Sequence, residues 1–478
     1  MQKGDTIELT IEDLAFGGSG VGRAGGLVVM VRGGLPGDRV SARIHKKASR
    51  YLEAQALEIL TPSPLRRPPP CRHAAVCGGC PLMPLDDEEQ TRRKGDQAVD
   101  IMARIGRFRP LRVEPPLRPG RAFSYRNKME FTFSPDPWPP GTSQDTSRRP
   151  EGAPALGLHP TGRYDRVFDV EDCLLPSPLI NRILQVLRAE AARLRLTSYV
   201  SRSDQGLLRH VITRTSRHWP DVLVALVVRD WDARLEEFGQ ALRRSVPAVT
   251  GCVVLVHRSR ATVARGEEER LLWGRPVIRE TVRGFDWTVG ASSFFQTSTE
   301  GAEILAEKTL AWAEPAAAET AVDLYCGVGA LTLPMARRTS RVVGVDCVWE
   351  ALRAGRDAAA RSGLGNAAFV EGLVEDVLTP PDAGPNGLRA AALARLGLAG
   401  PPDLVVVDPP RGGFHPKALP GLIALGPRRI LYISCNPSTQ ARDAAVMISE
   451  GYEPRRFQAL DLFPQTPHVE TLLLLVRP

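Results

Sequence analysis

No run of about 18 consecutive apolar residues occurs in the 478-residue chain, so hydropathy offers no membrane-spanning helix and no membrane partner is expected. The first residues, Met1-Gln-Lys-Gly-Asp-Thr6, lack the charged-then-apolar pattern of a secretory leader, and a cytoplasmic protein is expected. Cysteine is scarce. Eight thiols in a reducing compartment do not build a disulfide framework, and clustered ones point to metal binding or catalysis. Acidic residues are outnumbered, 54 against 62 Lys and Arg, and the net charge of +8 favours a polyanionic partner. What remains is ordinary: 43% hydrophobic and 24% charged residues, enough to bury sizeable cores in two to four domains.

Residues 4–60 alternate short β-rich runs with glycine turns, at 6–11, 17–22, 27–31, 39–44 and 53–60. Five strands in so short a span predict a small barrel of the oligonucleotide-binding kind. Lys46, Lys47 and Arg50 gather on its third turn. This stretch resembles the TRAM domain, an RNA-binding barrel attached to RNA-modifying enzymes. The proline-rich segment 61–70 then closes the first unit, because each proline forbids continued helix or central strand.

Cys71-Arg-His-Ala-Ala-Val-Cys77-Gly-Gly-Cys80 has the spacing C-x5-C-x2-C, with two glycines that let the backbone wrap closely. Three thiolates are one short of a four-sulfur site. Cys173 is the best-placed fourth, since Cys252 sits in an apolar strand and the other three lie in the C-terminal domain. On ligand chemistry alone the set fits a [4Fe-4S] cluster, a zinc ion with His73 as a ligand, or reduced free thiols. Residues 124–133 alternate basic and apolar side chains, with Arg126 and Lys128 on one face suited to phosphate or simply solvated. Residues 135–154 read as a surface loop. Helical spacing at 179–196 and 233–244, with strands at 209–215, 221–228 and 251–256, predicts a compact α+β unit whose sheet ends near 287–297. There Gln296, after paired phenylalanines, is either a ligand contact or a satisfied loop residue.

After Gly301 strand and helix patterns alternate strictly: strands at 321–325, 341–345, 367–371, 403–407, 429–434 and near Phe457 and Thr471, with helices at 330–338 and 349–362. This predicts a doubly wound, Rossmann-like parallel sheet that binds ligands at its carboxyl edge. Gly327 and Gly329 bring backbone close to a ligand, and Asp346 ends the next strand, where a carboxylate can accept hydrogen bonds from ribose hydroxyls. Thr332 replaces the third glycine of a dinucleotide fingerprint, which tilts the choice from NAD toward S-adenosylmethionine, a ligand with no phosphate to cradle. Residues 380–402, Ala- and Leu-rich between prolines, predict an inserted helix.

Asp408-Pro-Pro-Arg411 resembles the acidic-Pro-Pro turn of nucleic-acid amino-methyltransferases, but Arg411 stands where those carry an aromatic residue to stack on a flipped base. Cys435 offers other chemistry. Carbon 5 of uracil is a poor nucleophile, and a thiolate adding to carbon 6 turns it into an enolate able to take a methyl group from a sulfonium. The proton left on carbon 5 then needs a base. Glu470 opens an apolar terminal strand, where desolvation raises a carboxylate's pKa. Taken singly, Cys435 also reads as a structural thiol and Glu470 as a strand-end surface residue.

In order, Cys71, Cys77, Cys80 and Cys173, Ser293-Phe-Phe-Gln296, Asp323-Leu-Tyr325-Cys-Gly327-Val-Gly329, Asp408-Pro-Pro-Arg-Gly-Gly413, Ser434-Cys-Asn-Pro437 and His468-Val-Glu-Thr471 look like the bacterial RNA (uracil-5-)-methyltransferases. More narrowly they look like the 23S ribosomal RNA members that carry a TRAM domain and an iron-sulfur cluster. The resemblance covers nearly the whole chain and implies a multidomain protein: a TRAM, OB-like barrel at 1–62, a central α+β domain with the iron-sulfur site at 63–295, and an S-adenosylmethionine-dependent methyltransferase domain at 296–478. It implies Cys435 as nucleophile and Glu470 as proton-abstracting base. Gln296, Tyr325, Gly327, Gly329, Asp346 and Asp408 would line the S-adenosylmethionine and uracil pocket, and the four cysteines would hold [4Fe-4S] in a structural or RNA-organising role.

The expected partner is a structured RNA, ribosomal, met by a monomer. The alternatives are a tRNA uracil-5-methyltransferase and a catalytically impaired iron-sulfur RNA-binding protein. The chain departs from the family pattern at Ala330, often asparagine, at Asp346, often glutamate, and at Gly372, often polar near the adenine. Each lost hydrogen bond would cost cofactor binding about 1–3 kcal/mol if its partner stays buried and unpaired.

Overall fold

A computed structural model of the chain describes residues 1–135, 154–380 and 387–478. Most of the surface loop expected at 135–154 lies outside the described residues, as do 381–386 of the expected insertion. Among the described residues no helix is long and apolar enough to cross a membrane.

Strands Thr6–Leu14, Gly20–Ala24, Leu27–Arg32, Arg39–Lys47 and Tyr51–Thr61 close into a barrel. Their period-2 alternation turns Ile11, Val29, Val31, Val40, Ile44 and Leu52 inward as one apolar core. Gly22 is required where the first two strands cross, because a Cβ there would lie 2.4 Å from the carbonyl oxygen of Thr10. The basic third turn is partly neutralised: Lys46 pairs with Glu53 at 2.7 Å.

The central unit is a seven-stranded sheet whose middle runs through Gly251–Val256, Val222–Val228, Leu208–Thr215 and Lys128–Ser134. Helices Pro178–Arg193 and Arg234–Ser245 bury Leu184, Leu187, Leu235 and Phe238 against one face. The segment read as the sheet's end forms instead a separate two-stranded ribbon, Val277–Val282 with Phe285–Gly290. Its Trp287 donates to the Val328 carbonyl at 3.0 Å and packs with residues of both larger sheets, so the ribbon is the seam between them.

The C-terminal sheet has eight strands, in the order Ala367–Glu371, Arg341–Asp346, Thr320–Leu324, Leu404–Val407, Arg429–Ser434, Glu470–Val476, Glu453–Leu460, Arg112–Val113. The first five are parallel, as the alternation predicts. One strand departs from that expectation. Glu470–Val476 runs antiparallel to both its neighbours, because the turn at 461–469 is too short for a crossover helix and returns the chain as a hairpin. The helix expected at 330–338 shortens to Thr332–Ala336, and the insertion forms Leu388–Leu396, packed on this domain's core through Ala392 and Leu396.

Residues of the 63–295 span also join this sheet. Arg112–Val113 forms its edge, and helix Asp87–Ile101 lies against it through a buried ion pair between Lys94 and Asp461. Gln90 and Gln465 exchange two further hydrogen bonds, 3.1 and 2.8 Å. The helix therefore clamps the turn that precedes Glu470.

Candidate active site

The parallel register carries Leu324, Val345, Val407 and Tyr432 to one level, so the turns that follow their strands open on the same edge. Gln296, Tyr325, Gly327, Ala330 and Asp408 line one cavity there, with Phe294 and Asp323. Gly327 and Gly329 have φ of 54° and 81°, values that favour glycine, and a Cβ on Gly329 would crowd Phe369 at 3.0 Å. Above Gly327 there is open space. Tyr325 shares the left-handed backbone, φ 64°, and its ring meets Phe414 edge-on at 5.9 Å.

Asp346 stands outside that cavity lining. One of its oxygens accepts from Gly327 N and the other from Val348 N, both at 2.9 Å, so the carboxylate holds the glycine turn in shape and has only its remaining lone pairs for a ribose. Gly372 donates its N–H to the Asp346 carbonyl at 3.0 Å and is likewise absent from the cavity.

Two cavity residues carry weight that the sequence did not assign. Asp323 is 1% exposed, and while Oδ2 accepts from the Thr332 hydroxyl, Oδ1 has no hydrogen-bond partner. Burial, with the nearby Asp408 and Asp346, pushes its pKa up to about 7. Thr332, read only as a missing glycine, is thus the clasp on this carboxyl. Phe294 is 73% exposed beside Gln296, an unusual position for a ring of that size. It is presented by Arg214, a buried guanidinium that donates to the Ala291 and Ser293 carbonyls. The only sequence signal for either residue was its place inside a motif.

Cys435 and Glu470 come together from strands adjacent in space. The antiparallel ladder ends at the pair Ser434–Thr471, locked by Thr471 Oγ1 donating to Ser434 O at 2.9 Å, and Cys435 and Glu470 are each one residue beyond it. Opposed positions in such a ladder hold their Cβ atoms about 4.5–5.5 Å apart. Glu470 is 6% exposed and Cys435 half-buried. Burial, then Glu470 and Asp408, push the Cys435 thiol up to about 11, with Arg411 opposing. Burial and Asp408 raise Glu470 well above the usual carboxylate range, and burial takes Asp408 up to about 6.

Arg411 is the cation of this group. Its Nη2 donates to His468 Nδ1 at 3.0 Å, and burial, with Arg411 second, lowers His468 to about 4, so the imidazole is neutral and carries its proton on Nε2. The Arg411 carbonyl is fixed by Asn436 Nδ2 at 3.0 Å, and Asn436 also caps helix Pro437–Ser449. The Asp408–Gly413 turn is therefore tied to the turn that carries Cys435.

Cys71, Cys77, Cys80 and Cys173 line one mainly apolar cavity together with His73, Phe168 and Val170. All are free thiols, and burial raises each of them; Cys77, Cys80 and Cys173 are raised further by their neighbours' sulfurs. A single tetrahedral ion with Zn–S near 2.3 Å needs its sulfurs about 3.8 Å apart. Among the described residues no group of three or more His, Cys, Asp or Glu is arranged to hold one ion. Thiolates are the ligands of zinc and of iron–sulfur clusters alike. His73 Nε2 instead accepts from the Glu171 and Asp172 amides at 3.2 and 3.3 Å, which puts the ring proton on Nδ1 and leaves neither nitrogen with a free lone pair for zinc. Leu82 N donates to Gln465 O at 3.1 Å, so the cysteine loop abuts the turn that leads to Glu470.

Comparison with known proteins matches residues 253–478 to the family described as tRNA (Uracil-5-)-methyltransferase and residues 1–57 to the TRAM domain. The chain is 36% identical to an uncharacterized RNA methyltransferase of Chlorobaculum tepidum, over 98% of this chain and 96% of that one. It is 30% identical to one of Halalkalibacterium halodurans, over 99% and 98%. Among solved structures it is similar to Pyrococcus abyssi tRNA (uracil-54, C5)-methyltransferase in complex with S-adenosyl-L-homocysteine, with TM-score 0.72, 24% identity, and coverage of 98% and 100%; that likeness speaks to the fold.

Proposed function

Since the chain belongs to the RNA (uracil-5-)-methyltransferase family, we propose that it methylates carbon 5 of one uridine in ribosomal RNA, the 23S component, using S-adenosylmethionine. The observation that carries the reading is Cys435 facing Glu470 across the end of one ladder, beside a cavity with an unpaired buried carboxylate oxygen.

Cys435 gives its proton to solvent, its thiolate favoured by Arg411, and adds to carbon 6 of the flipped-out uracil. The electron pair of the 5,6 double bond moves to make carbon 5 nucleophilic. S-adenosylmethionine supplies an electrophilic methyl group there and departs as the neutral thioether. Glu470, desolvated and hence basic, takes the carbon 5 proton; the double bond re-forms and expels the Cys435 sulfur. The residues present fit the methyl donor: Asp323 Oδ1 is an unpaired acceptor for its ammonium group, and Gln296, Tyr325, Gly327, Gly329, Asp346 and Asp408 surround or support the pocket. They fit the cluster as well, and Cys71, Cys77, Cys80 and Cys173 would hold [4Fe-4S] to brace the loop beside Gln465. Exposed Phe294 is a surface on which a base can stack.

In this reading residues 1–62 grip the RNA backbone, 63–295 carry the cluster and 296–478 the chemistry, in a cytoplasmic monomer. The Pyrococcus abyssi enzyme is a tRNA (uracil-54, C5)-methyltransferase, which keeps tRNA as the second reading. The test is nucleoside mass spectrometry after incubating anaerobically purified protein and labelled S-adenosylmethionine with unmodified ribosomal RNA or tRNA in separate tubes. Label in 5-methyluridine from ribosomal RNA alone is expected; label from tRNA alone overturns the substrate, and no label from either overturns the activity.

A further inference from the structure

The site above accounts for one base, yet a larger cleft, of about 470 Å³, opens beside it on the central sheet. We propose that this cleft seats a second, unpaired nucleotide of the RNA substrate, an inference that rests on the uridine-methylation reading.

Its walls come from five separate stretches of chain, among them Arg121, Arg126 and Asn127; Ser177; Arg217 and Trp219; and Glu300. The volume lies within the ordinary range of small-ligand sites. Two helices of 16 and 15 residues, Pro178–Arg193 and Thr299–Ala313, direct their N-termini at it, which favours an anion.

The observation that asks for a ligand is Asn127, only 8% exposed. Its Nδ2 donates to the Gln296 carbonyl at 2.9 Å and to Thr299 Oγ1 at 3.0 Å. A carbonyl only accepts, so the amide cannot be turned round, and Oδ1 is left without a partner, buried behind the cleft wall that Asn127 helps to form. A buried acceptor of this kind is completed by a donor, such as a ribose 2′-hydroxyl or a base amine.

The remaining walls match the rest of a nucleotide. Arg121 is exposed, Arg126 keeps a buried Nε without a partner, and Arg217 reaches the cleft rim while paired to Glu300 at 2.8 Å, a contact a phosphate can replace. Asp221, also in the wall, is already committed to Arg275 and Arg279. Trp219 is held rigid, its Nε1 donating to Thr281 Oγ1 at 3.0 Å and Arg279 lying over its ring at 4.1 Å, and so offers a fixed aromatic surface to a base. An occupant would also steady Gln296, whose main chain Asn127 holds.

The test uses the full-length protein and a labelled, mixed-sequence single-stranded 12-nucleotide RNA, with its 2′-deoxy counterpart, followed by fluorescence anisotropy over a salt series. The double variant Arg121→Ala, Arg217→Ala is expected to bind RNA at least about tenfold more weakly, with the log–log salt slope shallower by about one to two. Trp219→Leu is expected to lose several-fold in affinity with the slope unchanged. Binding of S-adenosylhomocysteine by calorimetry should be unaltered in both, which separates a cleft defect from misfolding. Preference for RNA over the deoxy strand assigns the Asn127 donor to the 2′-hydroxyl, equal binding to the base amine, and either supports a nucleotide there. Variants that bind RNA as the unaltered protein does overturn the cleft and leave the methylation reading standing. An unaltered protein that binds no RNA overturns both.

Discussion

Cys435 and Glu470 stand across from each other one residue past the Ser434–Thr471 pair, at the open end of two antiparallel strands. In the proposed mechanism the thiol adds to carbon 6 of the uracil and the carboxylate takes the proton from carbon 5. Cys435→Ala should abolish product while RNA is still bound in a gel-shift assay. Glu470→Gln should instead accumulate a covalent protein–RNA species on denaturing gels, since addition proceeds and elimination is blocked. Normal turnover in either variant removes that residue from the mechanism.

Arg411 is the cation that opposes the rise in the Cys435 pKa. Removing it with Arg411→Ala should raise that pKa further, and the pH at which iodoacetamide alkylation of Cys435 reaches half its maximum should move up. His468→Gln, which keeps an acceptor for the guanidinium, should move it less. An unshifted profile in Arg411→Ala would show that the guanidinium does not act on the thiol.

Asp323 has a folded pKa near 7, above the ordinary carboxyl value of 3.8. A carboxyl raised by folding contributes its full share below the unfolded value and loses it as pH climbs through the folded one. In the absence of ligand, melting temperature should therefore fall between about pH 4 and 7 by more in the unaltered protein than in Asp323→Asn. S-adenosylhomocysteine should flatten the same slope, because its ammonium gives the ionised Asp323 a partner. Equal slopes for the protein and its variant would refute the assignment.

Lys94 and Asp461 are 3% and 1% exposed, and burial drives Lys94 down and Asp461 up. Breaking such a pair on one side costs about 3–5 kcal/mol, since it strands a charge. Lys94→Met should lose that much in urea unfolding, and Lys94→Met with Asp461→Leu should recover most of it. The single variant should also lose activity before it unfolds, because the helix it frees clamps the turn that leads to Glu470.

The four thiols should yield four irons and four acid-labile sulfides per chain after anaerobic purification, and Cys80→Ser should lower both. Stoichiometric zinc without sulfide would overturn the cluster.

The sequence by itself determined whatever depends on near neighbours. Period-2 runs at 6–60 specified the barrel, and the alternation after Gly301 specified the parallel strands, because apolar spacing records which face of an element is buried. The motifs likewise marked the strand-end turns where Gly327, Asp408 and Cys435 sit. Only the tertiary structure decided which distant segments meet. That Glu470 lies beside Cys435 follows from a hairpin inserting its last strand antiparallel; that helix Asp87–Ile101 belongs to the catalytic sheet follows from a Lys94–Asp461 contact 367 residues apart in sequence. The unpaired oxygens of Asp323 and Asn127 were illegible for the same reason. Whether a polar atom is left without a partner is a property of everything packed around it, and no local pattern encodes that.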